Sequence, residues 1–388
     1  MRKRDPLSLG VAVAVIVAAG LAPVHVLGQS KSPAASSLKT PWGAPDLQGI
    51  WENQVVTPLE RPKEFGTREF LTDQERADKA KQRLNEVAAD KGRDRRDASA
   101  ERDVAGAYNA IWQGVPLTQI GKRTSQVVDP ADGRIPAMTP EGAARVKAYR
   151  DYQLALLQAT DTCKRKLSAC RDGQYNPTPS SRRNQMAPVY NIDRINRGDG
   201  PEDNSTMVRC LGNQVPQIGT LQRIVQSPDA ITFYYDVAQG LGFSRVVPIS
   251  NAPHLPPTVQ QLYGDARARW DGQTLVIDIT NFSQKTDFHG SRQNLHLIER
   301  YRRLDANTLE QAVTVEDATT WTKPWTAVVE LTKQDDKANQ IYQQTCHEGN
   351  YGQTGILANF RAAEKAFAEG RGSDPATQDN ASGGGGLD

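Results

Sequence analysis

The chain has 388 residues, with 47 Lys plus Arg against 45 Asp plus Glu, 38% hydrophobic and 6% aromatic residues. A mean hydropathy of −0.60 excludes a polytopic helical membrane protein. Near-balanced charge excludes nucleic acid as the main partner, because a phosphate footprint needs a clustered excess of Lys and Arg.

The chain opens on Met1-Arg2-Lys3-Arg4, followed by an apolar run from Val11 to Leu27. A basic start, an apolar middle and small residues near Gly28 are the parts of a signal peptide, so residues 1–28 read as a secretory leader cut after Gly28. An uncleaved anchor is the alternative, although the run falls short of the roughly 20 residues that span hydrocarbon. Cleavage removes three basic residues and one acidic residue, leaving 44 of each. The expectation is a periplasmic or secreted protein with no stable membrane association after cleavage. Its oligomeric state is left open.

Residues 29–160 read as an N-terminal segment with a first strand near 47–56 and two helices. Thr72 and Glu75 form a capping box ahead of a charged helix that runs to about Val87. Thr139-Pro140-Glu141 starts a second helix, with Thr as cap and Pro in the first turn, running to about Thr160. Residues 161–208 are a polar connector. From 209 to 360 the chain is β-rich, with strands at 231–237, 274–282, 295–302, 309–315 and 327–331 separated by turn signals such as Asp271-Gly272. Residues 361–388, which end in four consecutive Gly before Leu387, read as a disordered tail. The fold class expected is α+β: a helical N-terminal part packed on a C-terminal antiparallel β-barrel or sandwich.

Export permits disulfides. Of the three pairings that Cys163, Cys170, Cys210 and Cys346 allow, we favour 163–170 with 210–346, the second tying the polar middle to the end of the C-terminal half.

Several motifs carry a resemblance. They are PDLQGIWEN, RTSQVVDPADGRIP, RWDGQTLVIDITNF, NLHLIER and CHEGNY, spread over most of residues 41–360. The chain resembles a large uncharacterised family of secreted bacterial proteins, which implies an exported globular protein and leaves the chemistry open. More weakly, Gly49-Ile50-Trp51 resembles the opening strand of lipocalin-like barrels, where a Trp plugs one end.

All mature histidines lie in the last third, so acid–base chemistry near neutral pH has to be found there. His289 sits in a turn-like D-F-H-G-S segment. His296 lies on a strand, where a period of two puts Glu299 on the opposite face. Cys346-His347-Glu348 forms a dense polar cluster on a Gly-containing loop. The catalytic candidates are therefore His289, His296, His347, Glu299 and Glu348, with the three histidines expected around one cavity. Asp278 and Asp317 are possible carboxylate partners without distinctive spacing. Trp270, Trp321, Trp325 and His254 are the ligand-binding candidates; Trp321 and Trp325 bracket Lys323-Pro324 on an expected loop, and His254 sits at a strand end.

No G-x-S-x-G, Walker or G-x-G-x-x-G motif occurs, and no Cys/His signature for metal is present, so no metal or cofactor is expected. Two functions follow, beside a purely structural envelope role. One is a protein that binds a small organic molecule in a β-barrel pocket. The other is a lyase, isomerase or hydrolase that uses His and carboxylate groups on the same scaffold.

Overall fold

The computed structural model describes residues 38–92, 118–191, 195–212, 216–235, 242–337, 346 and 350–379. The expected leader at 1–28 lies outside these, as do His347 and Glu348. Among the described residues one ten-stranded antiparallel sheet coils into a nearly closed barrel. Its strands are β1 Gly49–Glu52, β2 Val127–Asp129, β3 Gln222–Gln226, β4 Ala230–Tyr235, β5 Phe243–Pro248, β6 Asp265–Asp271, β7 Thr274–Thr280, β8 His296–Arg303, β9 Thr308–Glu316 and β10 Trp325–Lys333. They run in the order β5-β4-β3-β1-β10-β9-β8-β7-β6, with β2 alongside β10. An Ile249–Ala268 bridge links the two ends of this order.

Alternation writes the barrel wall. Leu309, Gln311, Val313 and Val315 of β9 face inward, as do Leu297, Glu299, Tyr301 and Arg303 of β8. Trp51 lies fully buried among them, its indole N–H on the Leu47 carbonyl at 2.9 Å and the Arg303 guanidinium 5.1 Å from its ring. The glycine of that G-x-W is required by its φ of +133°, and a Cβ there would press only on the movable Lys333 side chain, at 3.1 Å from Cε.

The expectation of a helical N-terminal part needs correction. β1 and β2 are members of the barrel sheet, and the first half is not a separate helical layer. Among the described residues its long helices are α1 Asp73–Gly92 and α2 Pro140–Leu157. Thr72 and Glu75 make the reciprocal capping box read from the sequence. Thr139 caps α2, its hydroxyl accepting from Gly142 N and donating to the Thr319 carbonyl. A Cβ at Gly142 would lie 2.6 Å from the Thr320 carbonyl oxygen, so only glycine lets α2 approach the 317–321 turn this closely.

The boundary set at 360 also needs correction, because α3 runs unbroken from Tyr351 to Ala368 and Pro375 beyond it is buried. Asn350 caps this helix and reaches back to the Val208 carbonyl, beside the Cys210–Cys346 disulfide. The second pair is Cys163–Cys170. No helix among the described residues is long and apolar enough to cross a membrane.

Candidate functional site: a carboxylate–imidazole chain and an end cleft

The outer wall of β6–β9 carries the densest array of titratable groups. Asp265 is on β6, Asp278 on β7, His296 on β8 and Glu316 on β9, and all point away from the core because each alternates with an inward neighbour. His296 stands directly across from Glu316 and diagonally from Asp278, whose strand partner is Ile298. His254 is added by the 249–264 connection.

The contacts form one continuous chain. His254 Nδ1 lies 2.9 Å from Asp265 Oδ2, and its Nε2 lies 2.9 Å from Asp278 Oδ1. His296 Nε2 lies 3.1 Å from the other Asp278 oxygen, and its Nδ1 lies 2.9 Å from Glu316 Oε2. Asp278 is thus shared by two imidazoles, each held from behind by its own carboxylate. The central members reach solvent: the side chains of His254, His296 and Asp278 are 27%, 30% and 42% exposed. Asp265 is buried, and burial alone would raise its pKa. The Leu255 N–H, His254 and Arg267 outweigh burial and hold its carboxyl below the usual range. Among the described residues no three His, Cys, Asp or Glu side chains are grouped as they would be around a metal ion.

Glu299 sits on the other side of the same wall. Arg245 donates to both its oxygens, at 3.0 and 2.5 Å, and also to the Tyr235 hydroxyl at 2.9 Å. Tyr301 donates to Glu299 at 3.3 Å, and Gln311 donates to Tyr301 at 3.0 Å. Burial holds the Tyr235 and Tyr301 phenols above their ordinary range, whereas the Glu299 charge outweighs burial and keeps Arg245 firmly protonated. With Phe233, Tyr235 and Tyr301 packed around it, this ion pair fills the barrel interior.

A separate narrow cleft opens at the β7–β8 end of the barrel. Leu262, Tyr263, Phe282, Phe288 and Leu295 give it an apolar lining, with Asn191, Thr206, Thr286, Asp287 and Ser291 between them. The polar members are largely spent inside the protein. Asn191 makes two bonds to the Asp287 backbone, Asp287 accepts from Gly290 N and Arg292, and Thr286 donates to the Ser283 carbonyl. Ser291 donates to Asp317 at 2.6 Å. Asp317 also accepts from Thr319 and Thr320, and these bonds hold its carboxyl below the ordinary range against the opposing pull of burial.

Several candidates from the sequence change place. His289 and His296 do not share a cavity, since His296 belongs to the outer chain and His289 is exposed at a left-handed turn (φ 51°) with its ring edge-on to Phe288, while His347 lies outside the described residues. Glu299 is sealed inside, so it orients neither of them. Trp321 and Trp325 are 1% exposed core residues rather than a stacking platform, because both rings turn inward onto Phe288 while residues 322–324 between them stay exposed. Trp270 is half-buried against the core. His254 does reach a site, but through Asp265 and Asp278, carboxylates that are 11 and 24 residues away in sequence and adjacent only through strand pairing. The sequence offered no spacing that joins Asp265 or Glu316 to them. Comparison with protein-family models, curated proteins and solved structures finds no match.

Proposed function

We propose that this is an exported protein that binds a small, largely apolar molecule in the cleft at the β7–β8 end of the barrel. The observation that carries the reading is the cleft's division of labour. Asn191, Thr286, Asp287 and Ser291 are bonded within the protein, so what remains for a guest is the surface of Leu262, Tyr263, Phe282, Phe288 and Leu295. The free volume of the cleft is about 20 Å³, so a guest is admitted only as the half-buried Leu262 and Tyr263 give way. Two disulfides and a leader-like N-terminus support the exported setting.

The test uses N-phenyl-1-naphthylamine, a neutral fluorophore that brightens in apolar surroundings. Saturable binding near one equivalent is expected, together with its loss in Leu262→Trp, which fills the cleft from a half-buried position and leaves the thermal melt unchanged. No saturable binding by the wild type, or equal binding by the variant, contradicts the reading.

One observation favours a second reading, proton-transfer catalysis on the outer wall. His254 and His296 each hold a carboxylate at Nδ1, as an oriented general base does, and turn Nε2 toward the same exposed group. Turnover of any substrate that vanishes in His296→Gln with an unchanged melt would support it; turnover equal in the two proteins would remove it.

A further inference from the structure

Residues 249–263 form a strap over the lower barrel wall, and His254 is its fastening. The strap is moored at one end by the Ile249–Ala268 bridge and at the other by Gln261 N on the Asn281 carbonyl at 2.9 Å. Between the moorings, every residue from 251 to 261 is exposed except His254. The remaining ties cluster beside it: Leu255 N bonds Asp265, and the Asn281 amide holds the Leu255 and Pro256 carbonyls. Immediately beyond the second mooring the chain supplies Leu262 and Tyr263 to the cleft wall.

The fastening can hold fully only when protons are present. Ionised carboxylates accept hydrogen bonds and donate none, and an imidazole donates through both nitrogens only as the doubly protonated ring. The chain contains four imidazole–carboxylate bonds, which need four N–H groups and therefore two imidazolium rings. Charge gives the same count. Asp265, Asp278 and Glu316 against Arg267 leave two negative charges, which two imidazolium rings neutralise. The next outward cation on β8, Arg300, bonds the neutral Thr314 hydroxyl rather than one of these carboxylates. As the rings lose their protons, each keeps one N–H. Asp278 then faces bare ring nitrogens or the outer carboxylates do, and two negative charges are uncovered. Imidazole is the side chain whose ordinary titration falls in this physiological range.

We propose that the Asp265–His254–Asp278–His296–Glu316 chain is a proton-operated fastening that controls the strap and, through Leu262 and Tyr263, the exchange of the bound guest. This rests on the binding reading above. Below the imidazole range, with the carboxylates still ionised, the strap is clasped and the cleft wall is firm. Above it the strap slackens and the guest leaves faster.

Two readouts test this and separate it from the binding reading. The first is the dissociation rate of N-phenyl-1-naphthylamine, expected to rise about tenfold between about pH 5.5 and about pH 8.5, the loss of one charge-assisted bond. His254→Gln, which has no titrating ring, should show a flat rate. The second needs no guest: amide exchange of residues 250–260, corrected for its intrinsic pH dependence, should lose protection over the same interval in the wild type but not in His254→Gln. Wild-type protein that never binds the fluorophore overturns the binding reading, while the exchange measurement still decides the fastening. Strap protection that is independent of pH, or that changes equally in His254→Gln, overturns the fastening.

Discussion

The two faces of the β6–β9 wall use the same chemistry to different ends. Inside, Glu299 meets Arg245 with both partners sealed and every carboxylate contact supplied by the barrel. Outside, Asp278 meets His254 and His296 while remaining 42% exposed. A sealed charge cannot exchange with solvent without breaking the fold, so the inner pair acts as architecture. An open one exchanges protons freely, and only there can a shift in pH be felt locally. Residue type alone would have ranked Glu299 and His296 together; the two-residue period of the strand separates them.

The largest expected effect strikes the inner face. Glu299→Gln leaves the Arg245 charge buried without a counter-charge and should cost about 3–5 kcal/mol in denaturant unfolding. A loss below about 1 kcal/mol would mean that Arg245 reaches water, and the contrast between the faces would fail.

Asp317 is intermediate, a buried carboxylate at the barrel end that organises the turns at 287–291 and 317–321. Asp317→Asn should cost roughly 1–2 kcal/mol at neutral pH, because an amide N–H₂ is turned toward hydroxyl donors. Its lowered pKa sets the sign of a pH effect. The stabilisation is complete above the ordinary Asp value of about 3.9 and is lost as pH falls through the lower folded value. The acid limb of the wild-type stability profile should therefore be steeper than that of the variant, and equal limbs would remove Asp317 from the account.

Gln222 tests the inner face in the opposite direction. Both of its side-chain amide atoms are buried without a partner among the described residues. Gln222→Leu should stabilise the protein by about 1–2 kcal/mol, and a clear destabilisation would show that the amide is satisfied by water or a guest within the barrel.

The smallest effect belongs outside. Asp278→Asn should cost less than about 1 kcal/mol, and the difference should shrink in high salt. A cost as large as that of Glu299→Gln would make the two faces equivalent.

How far these contrasts were legible in the sequence depended on what each strand buries. β4 and β7 to β10 stood out because most of their inward positions are apolar, such as Ile231, Phe233 and Tyr235 of β4 and Leu309, Val313 and Val315 of β9. β3 was hidden because it turns Gln222 and Gln226 inward around Ile224, and β5 because Arg245 interrupts Phe243 and Val247. In both the buried side chains are polar, and the partners of Gln226 (Pro45 and Leu47) and of Arg245 (Glu299) are remote in sequence. The helix caps at Thr72 and Thr139 were legible because capping is local. α3 also carried a signal, Ile356, Phe360 and Phe367 at helical spacing, masked by the Gly-rich text that follows. Of the site, His254 and His296 were visible as rare residue types. Asp278 was named as a possible carboxylate partner, whereas Asp265 and Glu316 were not, because they become neighbours only through strand register.

The protonation of the two rings themselves tests the central claim most directly. Nitrogen-15 NMR of the imidazoles distinguishes a doubly protonated ring from either neutral tautomer. At about pH 5.5, the low end of the interval from about pH 5.5 to about pH 8.5, the four bonds to ionised carboxylates require both His254 and His296 to carry two N–H groups. A single fixed neutral tautomer at either ring across that interval would contradict the account, because one of the four bonds that define the outer chain would then have no proton to make it.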